Sequence, residues 1–504
     1  MPSWIYPPPD WTKIEKRFNL LYILFSLIGG NKKTPLWNCI YMTKKEHSMP
    51  HMVYVLALAQ FAAPFMFSGV GVSLPAMGRE LHTTAVQLGL IETIYLGAAS
   101  AFLLPVGRFA DLTDKNLILK VGILAYALST LVIGFLSSIP AIIAFRFIQG
   151  LSGSLVMATN MAILTVIAPR EKLGKAIGIN IGAVYMGLSA GPFMAGWITT
   201  NFGWRLVFQS AFVPLILAAL LIHMSLKSSW KPPALPFDWK GTIMIVTALF
   251  LLISGGATLG DSHLGYILCA LGFVMGVIFF VVERRIPHAL LDVAKIRLNA
   301  TFSIALLIQL CMYAGAFGIT FLFSIYLQTV KGFSPQSAGQ ILVVSPVIMA
   351  IFAPICGRLA DTFPPRILTS IGLSFSLICS LSATLVDSGT WIGYIVGVLV
   401  FQGFGFAMFS SPNMTVIMNS VAPKEYGLAS ALSAEMRSLG MVFSMTVVTV
   451  FISVFMGKHM IDTHSAEFLP VMRASFTIFA FFAAAGIWLS FLEKRKHVAI
   501  QNSY

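Results

Sequence analysis

Runs of about 20 apolar residues return along the whole chain between short polar breaks, each long enough to cross a bilayer as a helix. Reading the breaks gives fourteen spans, beginning near Val53, Gln87, Lys120, Pro140, Ala176, Leu206, Gly241, Gly265, Phe302, Ala338, Ile367, Trp391, Leu428 and Val471. Helices are the expected form, because in hydrocarbon a segment must satisfy its own backbone N–H and C=O groups. Only 10% of the 504 residues are charged and 57% are hydrophobic, against roughly 25% charged in soluble domains. A soluble fold of this length could not hide so much apolar surface, so the expectation is an all-α, multi-pass integral membrane protein.

The net charge of +14 does not point to nucleic acid, since the bases are scattered through short loops and form no stripe. They serve orientation instead. With both termini inside, 26 of the 33 Lys and Arg residues fall in cytoplasmic segments and 5 outside, while Arg146 and Arg437 lie within spans. Without the N-terminal tail the ratio is still 19 to 5, as the positive-inside rule requires. The expected place is the cytoplasmic (inner) cell membrane. The five cysteines have no metal-like spacing and read as packing residues. In the stretch 1–51, "FNLLYILFSLIGG" (18–30) follows Lys13, Lys16 and Arg17 as a signal peptide would, yet no small-residue cleavage site follows and the run is too short to span. Met42, Met49 and Met52 lie just ahead of the first full span, so an over-extended start is the favoured reading and a short interfacial helix the alternative.

The chain also repeats itself. "GRFADLTDKN" (107–116) returns as "GRLADTFPPR" (357–366), "FIQGLSGSLVMATNM" (147–161) as "VFQGFGFAMFSSPNM" (400–414), and "APRE" (168–171) as "APKE" (422–425). Offsets of 250, 253 and 254 describe one duplicated six-helix unit, with spans seven and eight inserted between the copies. The expected division is an N-terminal extension (1–51), a six-helix bundle (52–228), two inserted helices (229–300), a second bundle (301–492) and a basic tail (493–504). Duplication of this kind is how many secondary transporters build a site between two moving halves.

These residues resemble the major facilitator superfamily and, within it, the fourteen-helix drug:proton antiporters. "GRFADLTDK" is similar to that superfamily's loop between helices two and three, with Gly107, Arg108, Asp111 and Lys115 matching, Asp114 where the family prefers Gly and Asn116 where it prefers a base. "RFIQG" (146–150) is similar to its helix-four motif, and "GLSAGPFMAG" (187–196) to its helix-five antiporter motif, with Gly187, Gly191, Pro192 and Gly196 in place and Ala195 replacing a usual Gly. "WRLVF" (204–208), "FDWKG" (237–241), "ERRIPHALLD" (283–292), "YLQTVKGFSPQSAG" (326–339) and "RSLG" (437–440) also resemble the fourteen-helix branch. One departure bears on coupling: in "FMFSGVGVSLP" (65–75), Met66 stands where the family's first helix usually carries an acid.

The resemblance implies proton-coupled export of hydrophobic or cationic drugs by alternating access. A specific metabolite exporter or importer is the alternative. A membrane-embedded transferase is disfavoured, because there is neither an acidic cluster nor a long soluble loop. No G-x-x-x-x-G-K-[ST] phosphate loop is present, and no enzyme activity or cofactor is expected. The expected partners are a small-molecule substrate, protons and the lipid bilayer; the sequence is silent on a periplasmic adaptor.

Gly107 is expected to allow a tight turn in which Arg108 and Asp111 pair across the turn or with neighbouring helix ends, where a carboxylate favours the positive N-terminal dipole, and with Gly357, Arg358 and Asp361 of the second copy the resemblance implies a latch. Ala183, Gly187, Gly191 and Ala195 recur every four residues, one stripe of small side chains along which another helix can approach closely. Four ionisable residues lie within spans, Glu92, Arg146, Glu435 and Arg437, and such residues are functional candidates because they are costly in lipid. With Met66 apolar, the proton falls to Glu92 or Glu435, and Glu92 is preferred because Arg146 can alternately pair with it and release it. Met66, Tyr95, Tyr185, Gln309 and Tyr313 are candidate pocket residues. "HMIDTH" (459–464) lacks a third metal partner and carries no metal expectation.

Overall fold

The computed structural model describes residues 35–168, 173–226, 236–260, 262–286, 290, 299–421, 426–457 and 467–501. The N-terminal run 18–30 and "HMIDTH" lie outside the described residues, as do Glu171 and the second repeat "APKE". The chain divides into two units, Met1–Tyr54 and Val55–Tyr504. Every candidate site residue lies in the second.

Among the described residues fourteen helices follow one another: α1 (Pro35–Leu81), α2 (Ala85–Asp111), α3 (Lys115–Ile133), α4 (Ile139–Ile167), α5 (Leu173–Phe202), α6 (Arg205–Ser225), α7 (Trp239–Thr258) and α8 (His263–Glu283). The second half continues with α9 (Ala300–Ala316, Ile319–Ile325 and a π turn Tyr326–Val330), α10 (Pro335–Leu342 and Val344–Thr362), α11 (Pro365–Thr384), α12 (Ile392–Asn419), α13 (Tyr426–Met456) and α14 (Phe468–Gln501). Among the described residues thirteen are long and apolar enough to cross a membrane. The 30-residue α5 is the fourteenth of that length. Except for α1, which runs back to Pro35, the helices begin within a few residues of the positions read from the apolar runs.

The polar breaks hold the caps that start these helices. Thr84 and Gln87 form a capping box on α2, Asp114 accepts from the Asn116 N–H at the start of α3, and Asp238 accepts from Gly241 N–H on α7. Asn299 caps α9, and Ser334 caps α10 with Pro335 in the first turn. In the turn after α11, the Thr390 hydroxyl and the Gly389 N–H donate to the Asp387 carboxylate and hold it below the ordinary carboxylate range.

The chain forms two six-helix bundles with two inserted helices. In the first, α4 packs on α2 and α3, and α3 on α6; in the second, α12 packs on α10 and α11, and α14 on α9 and α11. The bundles meet where α2 packs against α13 and α5 against α10. Of the inserted pair, α7 packs against both α2 and α13, whereas α8 packs on α7. Only 17% of the apolar window of α8 is buried. Its exposed Tyr266, Phe273 and Val274 suit a lipid-facing surface.

Candidate functional site

The first bundle is organised around a buried cation. Gly150 lets α4 approach α2 so closely that an added Cβ would lie 2.2 Å from the Tyr95 carbonyl oxygen. That approach carries Arg146, fully buried, onto α2, where Nη2 meets Glu92 Oε2 at 2.9 Å and Nε donates to the Ile91 carbonyl at 3.0 Å. Nη1 donates to Gln149 Oε1 at 2.7 Å, and Gln149 Nε2 donates to the Thr130 hydroxyl on α3 at 2.7 Å. The guanidinium lies 4.4 Å from the centre of the Tyr95 ring. The Tyr95 and Tyr126 hydroxyls are 3.3 Å apart. Glu92 Oε1 is buried without a hydrogen-bond partner. Tyr95, a candidate pocket residue by sequence, is thus a buried wall of this cage. Met66 is likewise fully buried, while its half-buried neighbour Phe67 stacks on Phe317 of the second half with centroids 4.5 Å apart.

The glycine-led motif departs from its expected turn. Gly107 lies inside α2, where an added Cβ would meet nothing within 4 Å, and the turn is made by Leu112 and Thr113. The helix persists because the Leu112 N–H returns to the Arg108 and Phe109 carbonyls and the Thr113 hydroxyl donates to the Phe109 carbonyl. Asp111 pairs with Lys115 at 2.7 Å, not with Arg108, whose Nε is buried without a partner. In the second copy an added Cβ at Gly357 would lie 3.1 Å from Ser411 Oγ of α12, and Arg358 is exposed; the Asp361 side chain lies outside the described residues.

The small-residue stripe does make a close contact, and its partner is α1. An added Cβ at Gly187 would lie 2.5 Å from the Phe61 carbonyl, and at Gly191 2.0 Å from Ser68 Oγ. The adjacent face of α5 meets the other bundle: an added Cβ at Gly196 would lie 2.5 Å from the Pro335 carbonyl oxygen, and one at Gly339 2.2 Å from that of Pro192. Hydrogen bonds continue this seam at the end opposite the glycine-led motifs. Ser324 Oγ donates to the Gly71 carbonyl (2.8 Å), Gln328 Nε2 to the Val72 carbonyl (2.9 Å) and the Gln336 N–H to Thr200 Oγ1 (3.0 Å). Thr93 of α2 and Thr449 of α13 share a 2.9 Å hydroxyl contact.

Between the two ends lies a second polar group, built from four helices of both halves. The Tyr185 hydroxyl on α5 is 2.8 Å from Ser410 Oγ on α12. Arg437 on α13, half-buried, lies one turn before Gly440, where α13 comes so close to α9 that an added Cβ would lie 2.8 Å from Tyr313 Cβ. Below them, Asn413 Nδ2 donates to Gln309 Oε1 at 2.6 Å. The sequence reading picked out Tyr185, Gln309, Tyr313 and Arg437 singly; it missed Ser410 and Asn413, although Asn413 is the repeat partner of Asn160. Glu435, two residues from Arg437, forms no ion pair with it. It is 1% exposed and its Oε2 has no hydrogen-bond partner. Among the described residues no group of His, Cys, Asp or Glu could hold a metal ion.

Two bundles of apolar helices around a polar centre define a membrane transporter of small molecules. More particularly, the chain belongs to the Major Facilitator Superfamily, whose sequence profile matches residues 56–444 and again 305–503. It is 24% identical over 457 residues to the riboflavin transporter RibZ of Clostridioides difficile (strain 630), covering 88% of this chain and 97% of that protein. It is 28% identical over 414 residues to the tetracenomycin C resistance and export protein of Streptomyces glaucescens, covering 80% and 75%. Against the multidrug resistance protein Stp of Mycobacterium tuberculosis (strain ATCC 25618 / H37Rv) it is 25% identical over 386 residues, covering 75% and 71%. Its fold matches a bacterial homolog of the human lysosomal transporter Spinster in the inward-facing and occupied conformation, with a TM-score of 0.59 at 15% identity over 88% of this chain and 97% of that one.

Proposed function

We propose that this chain is a proton-coupled exporter of hydrophobic compounds in the cytoplasmic cell membrane, with both termini inside, and that Glu435 carries the proton. The observation that carries the reading is Glu435 itself, a carboxyl in mid-membrane with no ion pair among the described residues and an oxygen with no hydrogen-bond partner. Ionised in this state it would be a costly bare charge, and binding a proton removes that cost. When the halves rock and water reaches α13, the cost falls and the proton can leave. Glu92 differs, because Arg146 already compensates it at 2.9 Å. The coupling role thus moves from Glu92, preferred on sequence, to Glu435. The relatives that export tetracenomycin C or confer multidrug resistance support the direction of transport.

In this reading the seam of α1 and α5 against α9 and α10 is the closed outer gate. Asp111 paired back to Lys115 is the motif in its released state; with the outer gate open, Arg108 and Asp111 engage the other half and hold the inner face shut. The α1–α5 contact along Gly187 and Gly191 keeps the first bundle moving as one body. The test is substrate-induced proton release from purified protein, comparing wild type, Glu92→Gln, Glu435→Gln and the double variant. Loss in Glu435→Gln with release retained in Glu92→Gln is expected. Unchanged release in all three variants would leave facilitated diffusion or another ion as the account.

A further inference from the structure

The geometry points to an anion-recognition site at Arg437, Tyr185 and Tyr313, so that the compounds this transporter carries are amphipathic organic anions rather than cations. The inference deepens the transporter reading, on which it rests, by naming the substrate class.

Height comes first. Tyr185 is 12 residues from Leu173, Tyr313 is 13 from Ala300, Arg437 is 11 from Tyr426 and Ser410 is 9 from Asn419. At 1.5 Å per residue, all four lie roughly 14–20 Å above the same face, near the middle of the bilayer. They come from α5, α9, α12 and α13, two of which pack across the boundary between the halves. A ligand held there would be gripped by both moving bodies.

Charge decides the class. Among the described residues the acids inside spans and away from their ends are Glu92 and Glu435, the others (Glu80, Asp111 and Glu283) standing at helix termini. Glu92 is taken up by Arg146 in a separate, fully buried cage. Glu435 is buried on another face of α13 and makes no ion pair with Arg437, since residues two apart on a helix do not face each other. Position 66, where the family resemblance leads one to look for an acid, holds a fully buried methionine. What remains at the centre is one half-buried guanidinium, level with Tyr185 and Tyr313 and one turn from the close approach of α13 to Tyr313 at Gly440. A cation in low dielectric without a carboxylate is unfavourable, and a carboxylate or sulfonate presented by a ligand would accept from all three groups. The guanidinium fork matches such an oxyanion in two-point geometry. An apolar body finds aromatic neighbours, as Tyr313 and Phe406 lie 5.4 Å apart edge to face and Phe67 stacks on Phe317. A cationic drug would meet uncompensated like charge there.

The test uses two dyes on one xanthene frame, the anion fluorescein and the cation rhodamine 123, binding to the detergent-purified full chain by fluorescence polarisation. Fluorescein is expected to bind saturably and more tightly than rhodamine 123. Arg437→Gln should weaken fluorescein roughly tenfold to a hundredfold, the size of a charge-assisted hydrogen bond, and leave rhodamine 123 unchanged or tighter. Arg437→Lys should restore part of the loss. Tyr313→Phe and Tyr185→Phe, which keep the rings, should weaken fluorescein several-fold, and they stand in if Arg437→Gln does not fold. Tighter binding of rhodamine 123 by wild type, no saturable binding of fluorescein, or an anion-to-cation ratio unmoved by these variants would each overturn the inference. Binding does not depend on coupling, so a protein that binds fluorescein as expected but releases no proton would fail as an antiporter and still keep its anion site.

Discussion

The two halves are copies, yet they treat the same position in opposite ways. Through the offsets of 250 and 253, Glu92 and Arg146 of the first half correspond to Leu342 and Leu399 of the second. All four residues are fully buried. The frame around them is kept: an added Cβ at Gly150 would lie 2.2 Å from the Tyr95 carbonyl oxygen, and one at Gly403 2.7 Å from that of its counterpart Ser345. One half closes this crossing with an ion pair and the other with two leucines. The crossing therefore needs tight backbone packing but not charge, and the charge in the first half must be explained by something other than holding helices together. A buried ion pair often adds no more stability than well-packed apolar residues do, which fits a pair retained for specificity or function.

That comparison can be broken most severely by removing one partner. Arg146→Leu alone would strand Glu92 uncompensated and is expected to destabilise the fold by about 3–5 kcal/mol, read as a lower thermal unfolding midpoint in detergent. Glu92→Leu with Arg146→Leu, which copies the second half, should recover most of that loss. If the double variant is as unstable as the single one, the halves are not interchangeable at this crossing. Next in size, Gly150→Ala and Gly403→Ala drive a Cβ into backbone oxygen and should each cost about 1–3 kcal/mol, with Gly191→Leu at least as harmful to the α1–α5 contact and abolishing transport. Smaller still, Gly107→Ala enters open space and should stabilise α2 by up to about 1 kcal/mol, whereas Gly357→Ala meets Ser411 Oγ at 3.1 Å and should gain less. The smallest stability effect is expected for Asp111→Asn. Its carboxylate is exposed, so the pair with the largely buried Lys115 contributes about 1 kcal/mol or less, yet vesicle transport should collapse if the motif is a latch. Normal transport in Asp111→Asn and Arg108→Ala would reduce the motif to ordinary loop charge.

The fold was legible because lipid imposes it. Apolar runs set the number of helices, and Asp114, Asp238, Asn299 and Ser334 mark where helices begin, all readable as capping residues. The repeat announced the two halves. Side-chain pairings were less legible. Arg146 and Glu92 lie 54 residues apart, and nothing in either span says that Gly150 brings them together. The expected turn at Gly107 did not form there, since a glycine in a helix with satisfied neighbours simply remains helical. Met66 and Phe67 illustrate the limit on pocket reading: adjacent residues on a helix point about 100° apart, and only the packing of neighbouring helices decides which is buried.

The break in α9 has a consequence for water. At Gly318 the helix is interrupted, and Ser444 Oγ accepts the Gly318 N–H at 2.9 Å, so the bend leaves no orphan donor there. Beyond the break, Ser324 and Gln328 reach across to the Gly71 and Val72 carbonyls. Parting the seam strips these donors and acceptors of one another, and each must take up water in exchange. Opening is thus a hydration reaction as much as a movement, and its equilibrium depends on the activity of water. Polymers too large to enter the seam should hold the transporter closed in proportion to their osmotic pressure, and the slope of that dependence would count the waters that enter with each turn of the cycle.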